Sequence, residues 1–260
     1  MNEVLTSAIS GLIQGITELL PISSSAHVLL FSKLVKVDLG LTEVAILHIG
    51  TLFALLLILR KRLKYLKNMT VLKNVIISAI PAGVVGLLID QLSGESSTNL
   101  TLICASLIFW GVAMIATDLW SRSRIENFKV KKIDQISLKQ ALQVGIFQIL
   151  AFIPGTSRSG ITTIIGIASG ISPKTALEFS FFSGIPVIAA SGFYSLIKYS
   201  LEGENTSFSA GYLVISIFVS FITGIFAAEI FQRYINKRIL TIFGIYRILL
   251  SVVVLVLFIL

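Results

Sequence analysis

The chain has 260 residues and a net charge of +8, yet only 13% of its residues are charged and 55% are hydrophobic. A soluble domain carries about twice that charged share, so at a mean hydropathy of +0.93 a soluble globular fold is excluded. The basic surplus lies in short loops between apolar runs, where topology and anionic lipid headgroups account for it better than nucleic acid does. The one cysteine, Cys104, leaves no intramolecular disulfide to read. No hydrophilic stretch is long enough for a soluble domain, so residues 1–260 read as a single membrane domain. The start Met1-Asn2-Glu3 lacks the basic region of a cleavable signal peptide, so the first apolar segment is expected to stay.

In chain order, the first 36 residues are apolar but broken at Pro21. Three runs long enough to cross a bilayer, about 20 residues each, follow at roughly 44–60, 74–90 and 99–117. Residues 140–172 are again apolar and broken, at Pro154-Gly155 and Gly160. Three further spans follow at 177–198, 210–231 and 240–259. The loop 60–73 carries Arg60, Lys61, Arg62, Lys64, Lys67 and Lys73 with no acid. The loop 118–139 carries six basic residues against three acidic ones, and 232–238 carries Arg233, Lys237 and Arg238. The loops with Asp90 and Glu95, and with Glu202 and Glu204, are acidic. The positive-inside rule puts the basic set in the cytoplasm and the acidic set outside.

That orientation forces residues 140–172 to leave the cytoplasm and return to it, and residues 1–36 to enter and leave from the outer face. Both termini come out external. Each arm has only about 10–16 residues, too short for a span, so both segments read as re-entrant helical hairpins. The first contains Gly15-Ile16-Thr17-Glu18-Leu19-Leu20 before Pro21-Ile22-Ser23-Ser24-Ser25. The second contains Gly145-Ile146-Phe147-Gln148-Ile149-Leu150 before Pro154-Gly155-Thr156-Ser157-Arg158-Ser159, with three extra residues before its proline. Each is followed by three spans. The expected fold is an all-α polytopic membrane protein: six transmembrane helices plus two re-entrant hairpins in an inverted-topology repeat, with halves at about 1–117 and 139–260. Such folds place their site near the midplane, where the broken helices meet.

The polar residues gather at the two breaks. Irregular backbone at membrane depth survives only inside protein or beside a wet cavity. A proline, a run of hydroxyls and a restarted helix leave free N–H groups that suit a phosphate. Ser23, Ser25, Gly155, Thr156, Ser157, Ser159 and Thr162 are therefore candidate phosphate-binding residues. Arg158 adds a planar fork that matches phosphate oxygens; its structural alternative is a pair with a Glu. Gln14 and Glu18, four apart, share a helix face. Glu18 is a candidate ligand for Mg2+ or Ca2+, a proton carrier, or a packing residue. His27 is a candidate general base or acid. Ser24 and its neighbours are candidate nucleophiles, and the residues alone leave open which serine attacks. His48 and Glu178 either face the cavity or bridge helices. Arg247 needs a partner within its span, which Glu229 or Glu178 could supply.

The stretch Gln14 to His27, read as Gln14-Gly15-Ile16-Thr17-Glu18-Leu19-Leu20-Pro21-Ile22-Ser23-Ser24-Ser25-Ala26-His27, resembles the first motif of the undecaprenyl-diphosphate phosphatases of the bacitracin-resistance type. Pro154-Gly155-Thr156-Ser157-Arg158-Ser159-Gly160 is similar to their second motif. His48-Ile49-Gly50-Thr51, Glu178-Phe179-Ser180-Phe181 and Tyr246-Arg247 add to the likeness, which spans nearly the whole chain. The resemblance implies hydrolysis of a polyprenyl diphosphate to the monophosphate at the outer face of the plasma membrane, recycling the lipid carrier for envelope glycans. It also implies a divalent cation, catalytic roles for Glu18, Ser24, His27 and Arg158, and supporting roles for Ser157 and Thr162. Two positions depart from the pattern: Gln14 stands where some members carry Glu, which puts a two-carboxylate metal site with Glu18 in doubt, and Ser25-Ala26 replaces the common Thr-Gly.

A transporter or flippase built on the same repeat is the rival class, and phosphate release separates the two. The other membrane phosphatase type needs a His shortly after its Ser-Arg pair, and the chain's two histidines both precede Arg158. The partners implied are the polyprenyl diphosphate and the bilayer, with no nucleic acid; a homo-oligomer is left open. The orientation has a direct check. In a Cys104→Ser background, cysteines introduced near Glu95 and Glu204 should label from outside the cell. Outside labelling near Lys64 would overturn the topology.

Overall fold

A computed structural model describes residues 2–37, 39–92, 99–124, 126, 128–202, 209–234 and 239–258. Glu95, Glu204, Lys237 and Arg238, used above for orientation, lie outside the described residues. Ten helices make up most of the described chain: α1 (Glu3–Glu18), α2 (Ser24–Leu34), α3 (Leu41–Leu59), α4 (Met69–Leu92), α5 (Leu100–Arg122), α6 (Leu138–Gln148), α7 (Arg158–Ala168), α8 (Pro173–Glu202), α9 (Ala210–Tyr234) and α10 (Ile239–Phe258). Six of them, α3–α5 and α8–α10, are long and apolar enough to cross a membrane. These are the six expected spans, so the chain is a multi-pass membrane protein.

The span limits differ from the hydropathy windows for local reasons. Helix α4 starts at Met69 because the Asn68 side chain accepts the Thr70 N–H at 2.9 Å. Helix α5 runs on to Arg122, one turn past Asp118, and the two side chains pair at 2.5 Å. Helix α8 begins at Pro173, since proline is tolerated in a first turn.

Helices α1, α2, α6 and α7 have 16, 11, 11 and 11 residues. At 1.5 Å per residue they reach roughly 17–24 Å, short of the ~30 Å hydrocarbon core. They form two pairs, α1 on α2 and α6 on α7. The first arm of each pair packs in the opposite half: α1 lies along α9, and α6 lies along α4. Likewise α3 packs on α9 and α8 on α4, while α3 meets α8 and α5 meets α10. Every one of these pairings maps onto another, or onto itself, when the halves are exchanged, as an inverted repeat requires.

Close approach makes these exchanges possible. A Cβ on Gly15 would fall within 3 Å of the α9 backbone at Ser220 and Gly224, and one on Gly145 within 3 Å of α4 at Ser78. Small residues let helix backbones meet where lipid tails offer no hydrophobic drive. Half of the α3 span is buried (50%), more than of any other span, and it packs against α1, α2, α8 and α9. The linker between the halves is tied down: Val130 bridges Ile171, the Ser172 N–H donates to Val130 O, and Thr175 Oγ1 donates to Lys131 O.

Overpacking the α1–α9 contact should be costly. Gly15→Val is expected to lower the thermal midpoint in detergent by the equivalent of about 1–3 kcal/mol or more. Gly83→Ala, where a Cβ meets nothing within 4 Å, should leave it unchanged. Equal midpoints for the two variants would show that α1 does not dock on α9 this closely.

Candidate active site

Helix α1 stops at Glu18 because Pro21 cannot continue it. The chain crosses Leu19–Ile22 and restarts at Ser24, after Ser23 takes a left-handed conformation at φ 74°. The second break repeats this. A short 3-10 turn, Ile149–Phe152, absorbs the three extra residues, Gly155 turns at φ 96°, and Ser157 is left-handed at φ 70° before α7 starts at Arg158. Non-glycine residues rarely adopt such φ values, and they cluster where surrounding structure enforces them for function. The hydroxyls match too: Ser23 Oγ lies 3.4 Å from Ser25 Oγ, and Ser157 Oγ 3.3 Å from Ser159 Oγ. Ser23 does not cap α2 with its side chain, which leaves first-turn N–H groups of α2 for an anion.

The two breaks meet at the Glu18 carboxylate. Its Oε1 accepts from Arg158 Nη2 at 2.9 Å. Its Oε2 accepts from Ser24 Oγ at 2.5 Å and Gln14 Nε2 at 3.2 Å, with His48 Nε2 3.1 Å away. Arg158 Nη1 donates to Ser180 O of α8 at 3.0 Å. One buried carboxylate thus joins both breaks and α3 directly, and α8 through Arg158. The pair of Arg158 with a Glu, considered above as its structural role, exists, and it occurs within the cluster of candidate catalytic residues.

Ser24, the first residue of α2, therefore meets Glu18 as its hydrogen-bond acceptor. His27 faces elsewhere: Nδ1 donates to Ser23 O at 2.7 Å and Nε2 lies 2.7 Å from Tyr246 Oη. Thr162 Oγ1 donates to Arg158 O at 2.8 Å and lies 2.7 Å from Ser180 Oγ, so it braces the turn that carries Arg158. Ser157 Oγ caps α7 through the Gly160 N–H, and Ser159 Oγ reaches Leu20 O of the other break. Thr156 is buried and its Oγ1 has no partner among the described residues. Ser25, His27, His48 and Arg158 are the partly exposed members, so access is from their side.

Three placements depart from or sharpen the sequence reading. Arg247 does not pair with Glu229 or Glu178. Glu229 is exposed, and Glu178 bridges to Arg62 at 3.4 Å. Arg247 is fully buried and its two Nη groups are held by backbone instead: Nη1 donates to Pro21 O at 3.2 Å and Thr156 O at 3.1 Å, and Nη2 donates to Gly155 O, while Nε has no partner among the described residues. It clamps the two breaks together through carbonyls that no sequence pattern marks. His48, weighed only as a bridge or cavity residue, belongs to the Glu18 cluster; an ionisable residue inside an apolar span was its signal. Tyr246 was marked only by the resemblance, in Tyr246-Arg247, and carried no role.

Hard divalent cations take oxygen ligands. Glu18 supplies a carboxylate, and Gln14 Oε1 is a buried oxygen without a partner among the described residues. Among the described residues no group of three or more His, Cys, Asp or Glu side chains could hold a metal ion. These residues suit a loosely held cation that takes its remaining ligands from a bound diphosphate, as Mg2+ commonly does with phosphates.

The clamp is testable. Arg247→Met should strand the carbonyls of Pro21, Gly155 and Thr156, each at a cost on the order of 1–3 kcal/mol, and lower the thermal midpoint in detergent. Arg247→Lys should recover part of the loss. An unshifted midpoint for the Met variant would remove Arg247 as the link between the breaks.

Comparison with known proteins agrees with this architecture. The family model described as "Bacitracin resistance protein BacA" matches residues 7–253. The chain is 34% identical to "Undecaprenyl-diphosphatase 1" of Clostridioides difficile strain 630, covering 98% of this chain and 96% of that protein. It is 32% identical to "Undecaprenyl-diphosphatase" of Methanococcus aeolicus, covering 99% of each. It is 35% identical to "Undecaprenyl-diphosphatase 1" of Chromobacterium violaceum, covering 96% and 94%. With both breaks, five spans, most of the sixth and the Glu18 cluster inside the matched residues, the chain belongs to the BacA family of bacitracin resistance proteins.

Proposed function

We propose that this chain hydrolyses undecaprenyl diphosphate to the monophosphate and inorganic phosphate at the outer face of the plasma membrane. This recycles the carrier for envelope glycans and confers bacitracin resistance. The observation that carries the reading is the Ser24–Glu18–Arg158 cluster at two facing helix breaks, in a chain whose relatives carry that name. Residues 1–260 act as one unit, and the hairpins enter from opposite faces.

In this mechanism the terminal phosphate displaces Glu18 from the Arg158 fork and takes the first-turn N–H groups of α2 and α7. Ser24 Oγ attacks phosphorus, its proton passes to Glu18 Oε2, and the bond to the bridging oxygen breaks to release the prenyl monophosphate. Water then frees phosphate from the serine ester. A divalent cation held by Glu18, Gln14 Oε1 and the diphosphate would neutralise phosphate charge. Gly155, Thr156, Ser157, Ser159 and Thr162 hold the second break in shape around Arg158. A polyprenyl-phosphate transporter would use the same site, and the inverted repeat is the observation that favours that second reading.

Phosphate release from a C55 diphosphate by purified protein, with and without EDTA, separates the two readings. Glu18→Gln should abolish release while the protein still inserts and purifies. Arg158→Lys keeps the charge but loses the fork. It should cost on the order of 2–4 kcal/mol of transition-state stabilisation, roughly 30- to 1000-fold and mainly in kcat. Full turnover by Glu18→Gln, or near-normal kcat for Arg158→Lys, would remove that residue from the mechanism.

A further inference from the structure

The contact between His27 and Tyr246 is not used by the chemistry above. A backbone carbonyl only accepts, so the 2.7 Å contact from His27 Nδ1 to Ser23 O places the ring proton on Nδ1. In the neutral ring Nε2 then carries the lone pair, and it faces the Tyr246 hydroxyl at 2.7 Å. The two rings lie within 4° of parallel, with centroids 5.7 Å apart, so the phenol also sets the plane of the imidazole.

Two independent features hold this arrangement. The left-handed φ of 74° at Ser23 belongs to the residue whose carbonyl receives both the side chain and the backbone N–H of His27. On the other side Tyr246 is anchored by its neighbour in α10, because Arg247 grips the carbonyls of Pro21, Gly155 and Thr156. Helix α10 is thereby held in register with the break that carries His27. Tyr246 itself is 41% exposed, on the accessible side of the site.

We infer that Tyr246 is a positioning residue: while Ser23 O fixes the tautomer of His27, the Tyr246 hydroxyl donates to Nε2 and holds the imidazole in one plane at the mouth of the phosphate site. The inference rests on the hydrolase reading for its kinetic consequence, but the tautomer does not depend on that reading. Fixing the second nitrogen of a functional imidazole is how the first is oriented in other hydrolytic sites.

The chain has 2 histidines, so protein labelled with 15N-histidine shows two imidazoles, assigned with His48→Gln. Wild-type His27 should show a protonated Nδ1 and a bare Nε2. Tyr246→Phe, which keeps the ring, should leave Nδ1 protonated and shift the Nε2 resonance through loss of its hydrogen-bond donor. In phosphate release from undecaprenyl diphosphate, Tyr246→Phe should lower kcat about tenfold, the scale of losing an orienting partner, with KM little changed. In a His27→Ala background the same substitution should add less than about twofold, because the two residues act as one unit. A wild-type His27 with its proton on Nε2, an unshifted Nε2 resonance in Tyr246→Phe, or losses that multiply in the double variant would each overturn the inference alone. A fully active His27→Ala would overturn the part of His27 in hydrolysis and the inference with it.

Discussion

A carboxylate buried where a membrane helix breaks has no water to turn to, and the protein must compensate it or leave it out. Glu18 is such a carboxylate, and its compensation organises the molecule. One oxygen takes the Arg158 fork and the other takes Ser24, Gln14 and His48. Because those partners come from both breaks and from α3, satisfying one charge also docks the hairpins on each other and on the most enclosed span. Arg158, equally unsuited to lipid alone, is balanced by the same contact. An arriving diphosphate can exchange with Glu18 on Arg158 without leaving either charge bare, since His48 and Ser24 remain on the carboxylate.

The two breaks show how a duplicated backbone becomes an asymmetric site. Aligned on their left-handed serines, Ser23 and Ser157, the copies place Ser24 opposite Arg158. Aligned on the glycines that touch the facing helices, Gly15 and Gly145, they place Glu18 opposite Gln148. The backbone provides two restarted helices of the same design. The side chains then divide the work: one copy supplies a hydroxyl and a carboxylate, the other a fixed cation. Gln148 remains a neutral buried amide donating to Ser78 O at 3.2 Å, so the second copy adds no second negative charge near the anion.

Helix α10 gives this pair of breaks its rigidity. Arg247 is wholly buried with backbone carbonyls rather than a carboxylate as partners, which is tolerable because those carbonyls belong to residues that the breaks have freed from helical hydrogen bonding. The carbonyls at the breaks and the two Nη groups of the arginine satisfy one another. The arrangement ties the geometry of the site to a span that contributes none of the Ser24–Glu18–Arg158 cluster.

The six spans, the two short broken segments and their repeat were legible in the sequence, because hydropathy, helix length and the effect of proline on a helix are local properties. The polar residues worth attention were legible for a related reason: an ionisable group inside an apolar run stands out without knowing its neighbours. Which of them meet was not. Glu18 and Arg158 are 140 residues apart, and His27 and Tyr246 are 219 apart. Sequence spacing placed Glu18 beside Gln14 and gave His27 as a candidate base or acid without saying what it meets. The fold gave Ser24 to Glu18 and His27 to Tyr246, because a left-handed serine at the break turns its carbonyl onto the imidazole. It also gave Arg247 a set of carbonyls where side-chain chemistry pointed to a glutamate. Composition and periodicity determine which residues lie in the membrane and where its helices break; only the packing of distant helices decides which buried charges and hydrogen-bonding groups satisfy one another.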